Sequence, residues 1–119
     1  MPNIPSLPDI NAVMDDFHDT MHKKNNPAGY ARDRMVTLIN SFQAKMSDDV
    51  EVGISVVGSG SAASFRLRDV RASNPDIIIF DGLDDNGNNV QLIQHYSQMA
   101  VVLIARPKAD DKAYRIGFR

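Results

Sequence analysis

The 119-residue chain contains no cysteine, and glutamate occurs once, at Glu51. Without cysteine there are no disulfides, thiolate nucleophiles, Cys-based zinc sites or iron–sulfur clusters. No apolar run approaches the roughly 18 residues of a membrane span. The opening MPNIPSLPDI lacks the basic-then-apolar layout of a secretory signal. The expectation is a soluble, cytoplasmic protein with no membrane partner. Excess positive charge is missing too: 13 Lys and Arg face 15 acids, and the pI is near 5.8. No bulk field therefore drives non-specific nucleic-acid binding, and any such role rests on a local patch.

What is present is ordinary globular composition, 43% hydrophobic and 24% charged, at 13.2 kDa, the size of one domain. Every acid other than Glu51 is an aspartate. Aspartate favours caps and turns because its short carboxylate bonds nearby backbone.

Residues 1–8, with Pro2, Pro5 and Pro8, read as an extended arm. From Asp9, an N-cap candidate, Ile10, Val13, Met14, Phe17 and Met21 recur at helical spacing to about Lys24. Asn25-Asn26-Pro27-Ala28-Gly29 breaks that helix, with Asn26 and Pro27 suited to the cap and first position of the next. The second helix runs to about Met46 and is expected to bury Met35, Leu38, Ile39, Phe42 and Met46.

The period then changes from 3.6 to 2. Val50, Val52, Ile54 and Val56 alternate with Glu51, Gly53 and Ser55 as a half-buried strand. A Gly58-Ser59-Gly60-Ser61 turn leads to a strand at 64–70, and Asn74-Pro75-Asp76 interrupts before Ile77-Ile78-Ile79-Phe80. Asp85-Asn86-Gly87-Asn88 is the strongest hairpin signal, since Asn-Gly accepts a type I′ turn. Strands at 90–93 and 100–105 follow, and Ala113 to Phe118 is a candidate for one short last strand.

Helix then five short strands, on LINSF at 38–42, VEVGISVVGS at 50–59, RASNPDIIIF at 71–80, DDNGNN at 84–89 and VQLIQHYSQMAVVLIARP at 90–107, resembles the Sm-like family, and within it the Hfq-like RNA chaperones. The resemblance spans about residues 35–107. It implies an α+β fold in which N-terminal helices precede a strongly bent five-stranded antiparallel sheet closing into a small barrel. The domain division is then 1–24, arm and helix, and 25–119, an Sm-like domain with a short C-terminal extension. Hfq-like chains carry a Lys-His pair where this chain has Gln94-His95, so one cationic phosphate contact is lost beside the implied pore-side nucleotide pocket. Their rim arginines correspond here to Gln43-Ala44-Lys45. More loosely, His95 to Arg106 is similar to an uncharacterised small bacterial or phage domain family, which implies no activity.

The candidate ligand-binding residues are His95, Tyr96, Gln94 and Gln98, groups able to stack on a base or bond its edge, with Arg66 and Arg68 meeting phosphate. Arg71 continues that row. The tail from Arg106 to Arg119 carries five basic residues against Asp110 and Asp111. His18 and His22 stand one turn apart behind Asp15, but Asp19-Thr20-Met21 between them lacks a metalloprotease glutamate, so a solvated face is expected and no metal. Gly58-Ser59-Gly60-Ser61 has no following lysine or helix and is not a nucleotide-hydrolase phosphate loop. No G-x-S-x-G elbow occurs.

These readings lead to a non-enzymatic homo-oligomeric ring, without cofactor, that binds RNA or small nucleotides. The alternative is a phage or bacterial interaction module that blocks a host protein or sequesters a signalling nucleotide.

Overall fold

The computed structural model describes residues 10–57 and 64–118. The arm, the Asp9 cap and the Gly58-Ser59-Gly60-Ser61 turn lie outside the described residues. Helices α1 (Ile10–Asn25) and α2 (Pro27–Ala44) precede strands β1 (Val50–Val56), β2 (Ser64–Ser73), β3 (Ile77–Leu83), β4 (Asn89–His95) and β5 (Val101–Pro107). A 3-10 turn at Tyr96–Gln98 joins β4 to the approach to β5. The fold is α+β, and among the described residues no helix is long and apolar enough to cross a membrane.

His22, Lys23 and Lys24 close α1, where cations favour the negative end of the helix dipole. Pro27, which has no N–H to leave orphaned, opens α2. Asn26 stands at the cap but makes no side-chain capping bond. The cap comes from the β2–β3 turn instead: Ala28 N–H donates to the Pro75 carbonyl at 2.9 Å and Gly29 N–H to Asn74 Oδ1 at 3.0 Å. A Cβ at Gly29 would stand 2.9 Å from that same Asn74 oxygen, so this contact needs glycine.

All strand pairs are antiparallel, in the order β4-β3-β2-β1-β5. The sheet does not close on itself: β1 sits between β2 and β5, which leaves β4 and β5 as the two edges. The barrel closure expected from sequence is absent within one chain because the last strand pairs with β1 rather than with β4.

Met35 and Ile39 of α2 pack on Val52, Ile54, Phe65, Leu67, Val70, Ile78 and Phe80, each side chain worth about 1.5–3 kcal/mol when fully buried. Phe42 and Met46 are partly buried against this core, but Leu38 is 57% exposed and Gln43 takes the inward position. On α1, Met14, Phe17 and Met21 are exposed, so among the described residues nothing covers this part of the helical stripe read from sequence, and the side chains of Ile10 and Val13 lie outside the described set.

The β3–β4 hairpin exists, yet its turn is not type I′. Gly87 alone has positive φ, at 80°, whereas a type I′ turn needs two such residues. Asp84 organises the loop: its Oδ1 accepts the N–H groups of Asn86 and Asn88, both at 2.9 Å. These bonds hold the Asp84 carboxyl below the usual carboxylate range, the Asn88 backbone bond contributing most. Ala113 to Phe118 forms no strand. It is docked by side chains, with Ile116 buried in the core and Phe118 packed against it.

Candidate functional site

The sheet has two unlike faces because β1 alternates. Val52, Ile54 and Val56 face the core, while Glu51, Gly53 and Ser55 face the other side, where β2 brings arginines alongside. Glu51 is 1% exposed despite its charge. Burying a lone carboxylate is prohibitive, and three groups compensate it. Arg66 Nε lies 2.9 Å and Arg68 Nη2 3.4 Å from Oε1, and Tyr114 N–H donates to Oε2 at 2.9 Å. The Arg68 guanidinium also stacks 4.1 Å over the Tyr114 ring, a cation–π contact.

Arg66 reaches further, with Nη1 3.1 Å from Asp85 Oδ1 and Nη2 donating to the Pro107 carbonyl at 3.1 Å. Arg106 of β5 meets the same Asp85 oxygen at 2.5 Å. On the adjoining part of this face, Arg71 binds both oxygens of Asp81, and Gln91 Nε2 donates to Oδ1 at 2.8 Å. Arg71 chiefly, with Gln91, holds the Asp81 carboxyl below its usual range, against the opposing effect of burial. An open groove of about 820 Å³ runs past Arg68, Asp81, Leu83, Gln91 and Tyr114.

His95 lies elsewhere. It pairs with Ile77 at one end of β3, whereas Arg66 pairs with Leu83 at the other. At about 3.3 Å per strand residue the two ends are roughly 20 Å apart, too far for one nucleotide to meet both within a chain. The histidine caps the 3-10 turn: its Nδ1 accepts Ser97 N–H at 3.2 Å and stands 2.7 Å from Ser97 Oγ. The other ring nitrogen is 3.8 Å from Asp76 Oδ2. Tyr96 lies beside it, ring centroids 4.8 Å apart, and both rings are accessible. Gln98 is exposed on the turn, and Gln94 points inward, its Oε1 buried without a hydrogen-bond partner.

The geometry thus separates the six sequence-read residues into four at the β4 end, Gln94, His95, Tyr96 and Gln98, and two, Arg66 and Arg68 of β2, in an arginine cluster against β1. Sequence reasoning missed Glu51, Asp85, Arg106 and Tyr114 as members of that cluster. One signal was available: a lone glutamate inside a strand whose neighbours are all apolar or small demands a basic partner. Among the described residues, no three His, Asp or Glu side chains are placed to hold a metal. His22 bonds Asp33 of α2 at 3.2 Å.

Comparison with curated proteins and with solved structures gives no match. A family model matches residues 14–119, a span that takes in most of α1, the whole sheet and the docked C-terminal segment. The chain belongs to that family, DUF6173, a family of unknown function.

Proposed function

We propose that the chain is a cytoplasmic, non-enzymatic, Sm-like binding protein for RNA or small nucleotides that assembles edge to edge into a homo-oligomeric ring. The observation that carries this reading is the sheet order, which ends in two open strands, β4 and β5, of seven residues each. Unpaired edges are templates for further pairing, and Sm-like proteins cover theirs by pairing between subunits. Ile93 of β4 and Val102 of β5 are 61% and 46% exposed, apolar surface that such a junction would cover. Assembly then does what closure within one chain does not.

His95 and Tyr96 at the end of β4 are the nucleotide-facing pair, repeated once per subunit. Two accessible rings side by side offer a stacking platform that tolerates any base. Fluorescence anisotropy with a short labelled oligoribonucleotide tests this against His95→Asn, which keeps an acceptor for Ser97 N–H and removes the ring. The expected result is a roughly tenfold to hundredfold loss of affinity, the value of about 1–3 kcal/mol per stacked base, with mass unchanged. Equal binding by the variant removes His95 from the site, and no binding by the parent tighter than about millimolar removes the nucleotide reading.

One observation favours a second reading, a protein-interaction module that blocks a host factor. Met14, Phe17 and Met21 stand exposed on α1, where nothing among the described residues covers them.

A further inference from the structure

Arg106 and Arg66 start on strands that flank β1 and meet above it. Gly53 permits this: a Cβ there would overlap Arg106 Cδ and stand 2.6 Å from its Cγ, so the arginine stem crosses β1 where a side chain is missing. Arg66 is the cross-strand partner of Gly53 on the other side. Buried Glu51 steadies Arg66 from below. The two guanidiniums converge on one oxygen of Asp85, whose side chain is 74% exposed although theirs are only 14% and 17% exposed.

Three features mark this convergence as more than a surface ion pair. First, a donor is not used up: Arg106 Nη1 is buried and makes no hydrogen bond, whereas Arg66 Nε is held by Glu51. Such a buried donor is costly unless a partner arrives. Second, the charges do not balance. Among the described residues, Arg66, Arg68 and Arg106 form ion pairs only with Glu51 and Asp85, and with Asp85 turned to solvent the excess within these pairs is two positive charges, which a phosphate dianion neutralises and a carboxylate does not. Third, Asp85 is free to leave. The loop is held by Asp84, through Asn86, Asn88 and the Gly87 N–H that donates to the Asp84 carbonyl at 3.1 Å, with no contribution from Asp85.

We propose that Arg66 and Arg106, meeting over Gly53, form a binding site for a terminal phosphate group, and that Asp85 occupies this site as a built-in competitor. Paired guanidinium forks match the several acceptor oxygens of a phosphomonoester better than the two of a carboxylate. The site lies at the end of the sheet away from His95. That its phosphate belongs to a nucleic acid, rather than being free inorganic phosphate, rests on the nucleotide reading above.

The test is calorimetric titration of the full chain, as parent, Asp85→Asn and Arg106→Gln. The probes are inorganic phosphate and one short oligoribonucleotide with and without a 5′-phosphate. Removing the competing charge should tighten phosphate binding about tenfold in Asp85→Asn, and Arg106→Gln should lose it. The phosphorylated oligonucleotide should exceed its unphosphorylated twin in Asp85→Asn. Asp85→Asn is an exposed loop change, so it decides the question even where Arg106→Gln fails to fold. Equal phosphate affinity in Asp85→Asn and parent, or full affinity in folded Arg106→Gln, overturns the site. Oligonucleotide binding identical in all three proteins also overturns it while leaving the nucleotide reading intact. Phosphate binding that follows the predicted order while neither oligonucleotide binds supports the site and removes the nucleotide reading.

Discussion

Gln43 and Ile116 exchange two hydrogen bonds: the Gln43 carboxamide donates to the Ile116 carbonyl at 3.2 Å, and its oxygen accepts the Ile116 N–H at 2.7 Å. A side chain of α2 thereby does for the C-terminal segment what a neighbouring strand would do. Glu51 serves Tyr114 in the same way, and Arg115 donates to the carbonyls of Val50 and Ser47 at 2.7 and 2.8 Å. Residues 113–118 are therefore part of the folded unit rather than a polar tail.

Gln43→Ala leaves a buried N–H and a buried carbonyl of Ile116 without partners. At about 1–3 kcal/mol for each unsatisfied group, the expected loss is roughly 2–6 kcal/mol. Urea denaturation measures it, and a change below about 0.5 kcal/mol, the range of inert surface substitutions, would mean the segment is not held this way.

Glu51→Gln keeps the shape and an acceptor for Tyr114 N–H but strips the charge that Arg66 and Arg68 share. Removing one partner of a buried ion pair costs about 3–5 kcal/mol, and because the two arginines retain some water contact the lower end is expected. Chemical denaturation of the variant beside the parent checks this. Unchanged stability would show that the arginines are compensated by other groups.

How much of this was legible in the sequence depends on how far each residue's partner lies along the chain. The strand at Val50 to Val56 and the Asn-Gly hairpin are local, and both appear in the structure, the strand with Glu51 and Gly53 buried as well rather than half-buried, and the hairpin with a turn set by Asp84. The α2 stripe was legible in Met35 and Ile39 but failed at Leu38 and Gln43, because the partner of Gln43 lies 73 residues away. Arg66 was named from sequence as a phosphate contact. Arg106 and Asp85 were not, since their meeting depends on register across three strands and on the gap at Gly53. The separation of His95 from Arg66 likewise follows from β3 pairing, which periodicity does not specify.

Removal of residues 1–24 should leave residues 25–119 soluble and cooperatively folded. The exposed Met14, Phe17 and Met21 contribute little to the core, and α2 takes its cap from Asn74 and Pro75, not from α1. A thermal melt of the shortened chain should stay sharp. A broad transition or aggregation would show that α1 is needed by the fold.

Asp81 and Asp84 are both held below the ordinary carboxylate range in the folded protein. The folded state binds the proton less readily than the unfolded chain, so the stability they supply is complete above the unfolded value of about 3.9 and is lost as pH falls below it. Denaturation midpoints should be flat across neutral pH on this account and fall below about pH 4. Asp81→Asn should flatten part of that acid limb, and an unaltered limb in the variant would remove Asp81 as a contributor.

Assembly through β4 and β5 is the claim on which the functional reading turns, and native mass spectrometry of the protein purified from cells tests it most directly. The account predicts one closed homo-oligomer whose mass is an integer multiple of 13.2 kDa, reduced to monomer by Ala105→Pro, a position whose N–H faces away from β1 on the edge strand. A 13.2 kDa monomer from the parent protein at tens of micromolar would contradict it.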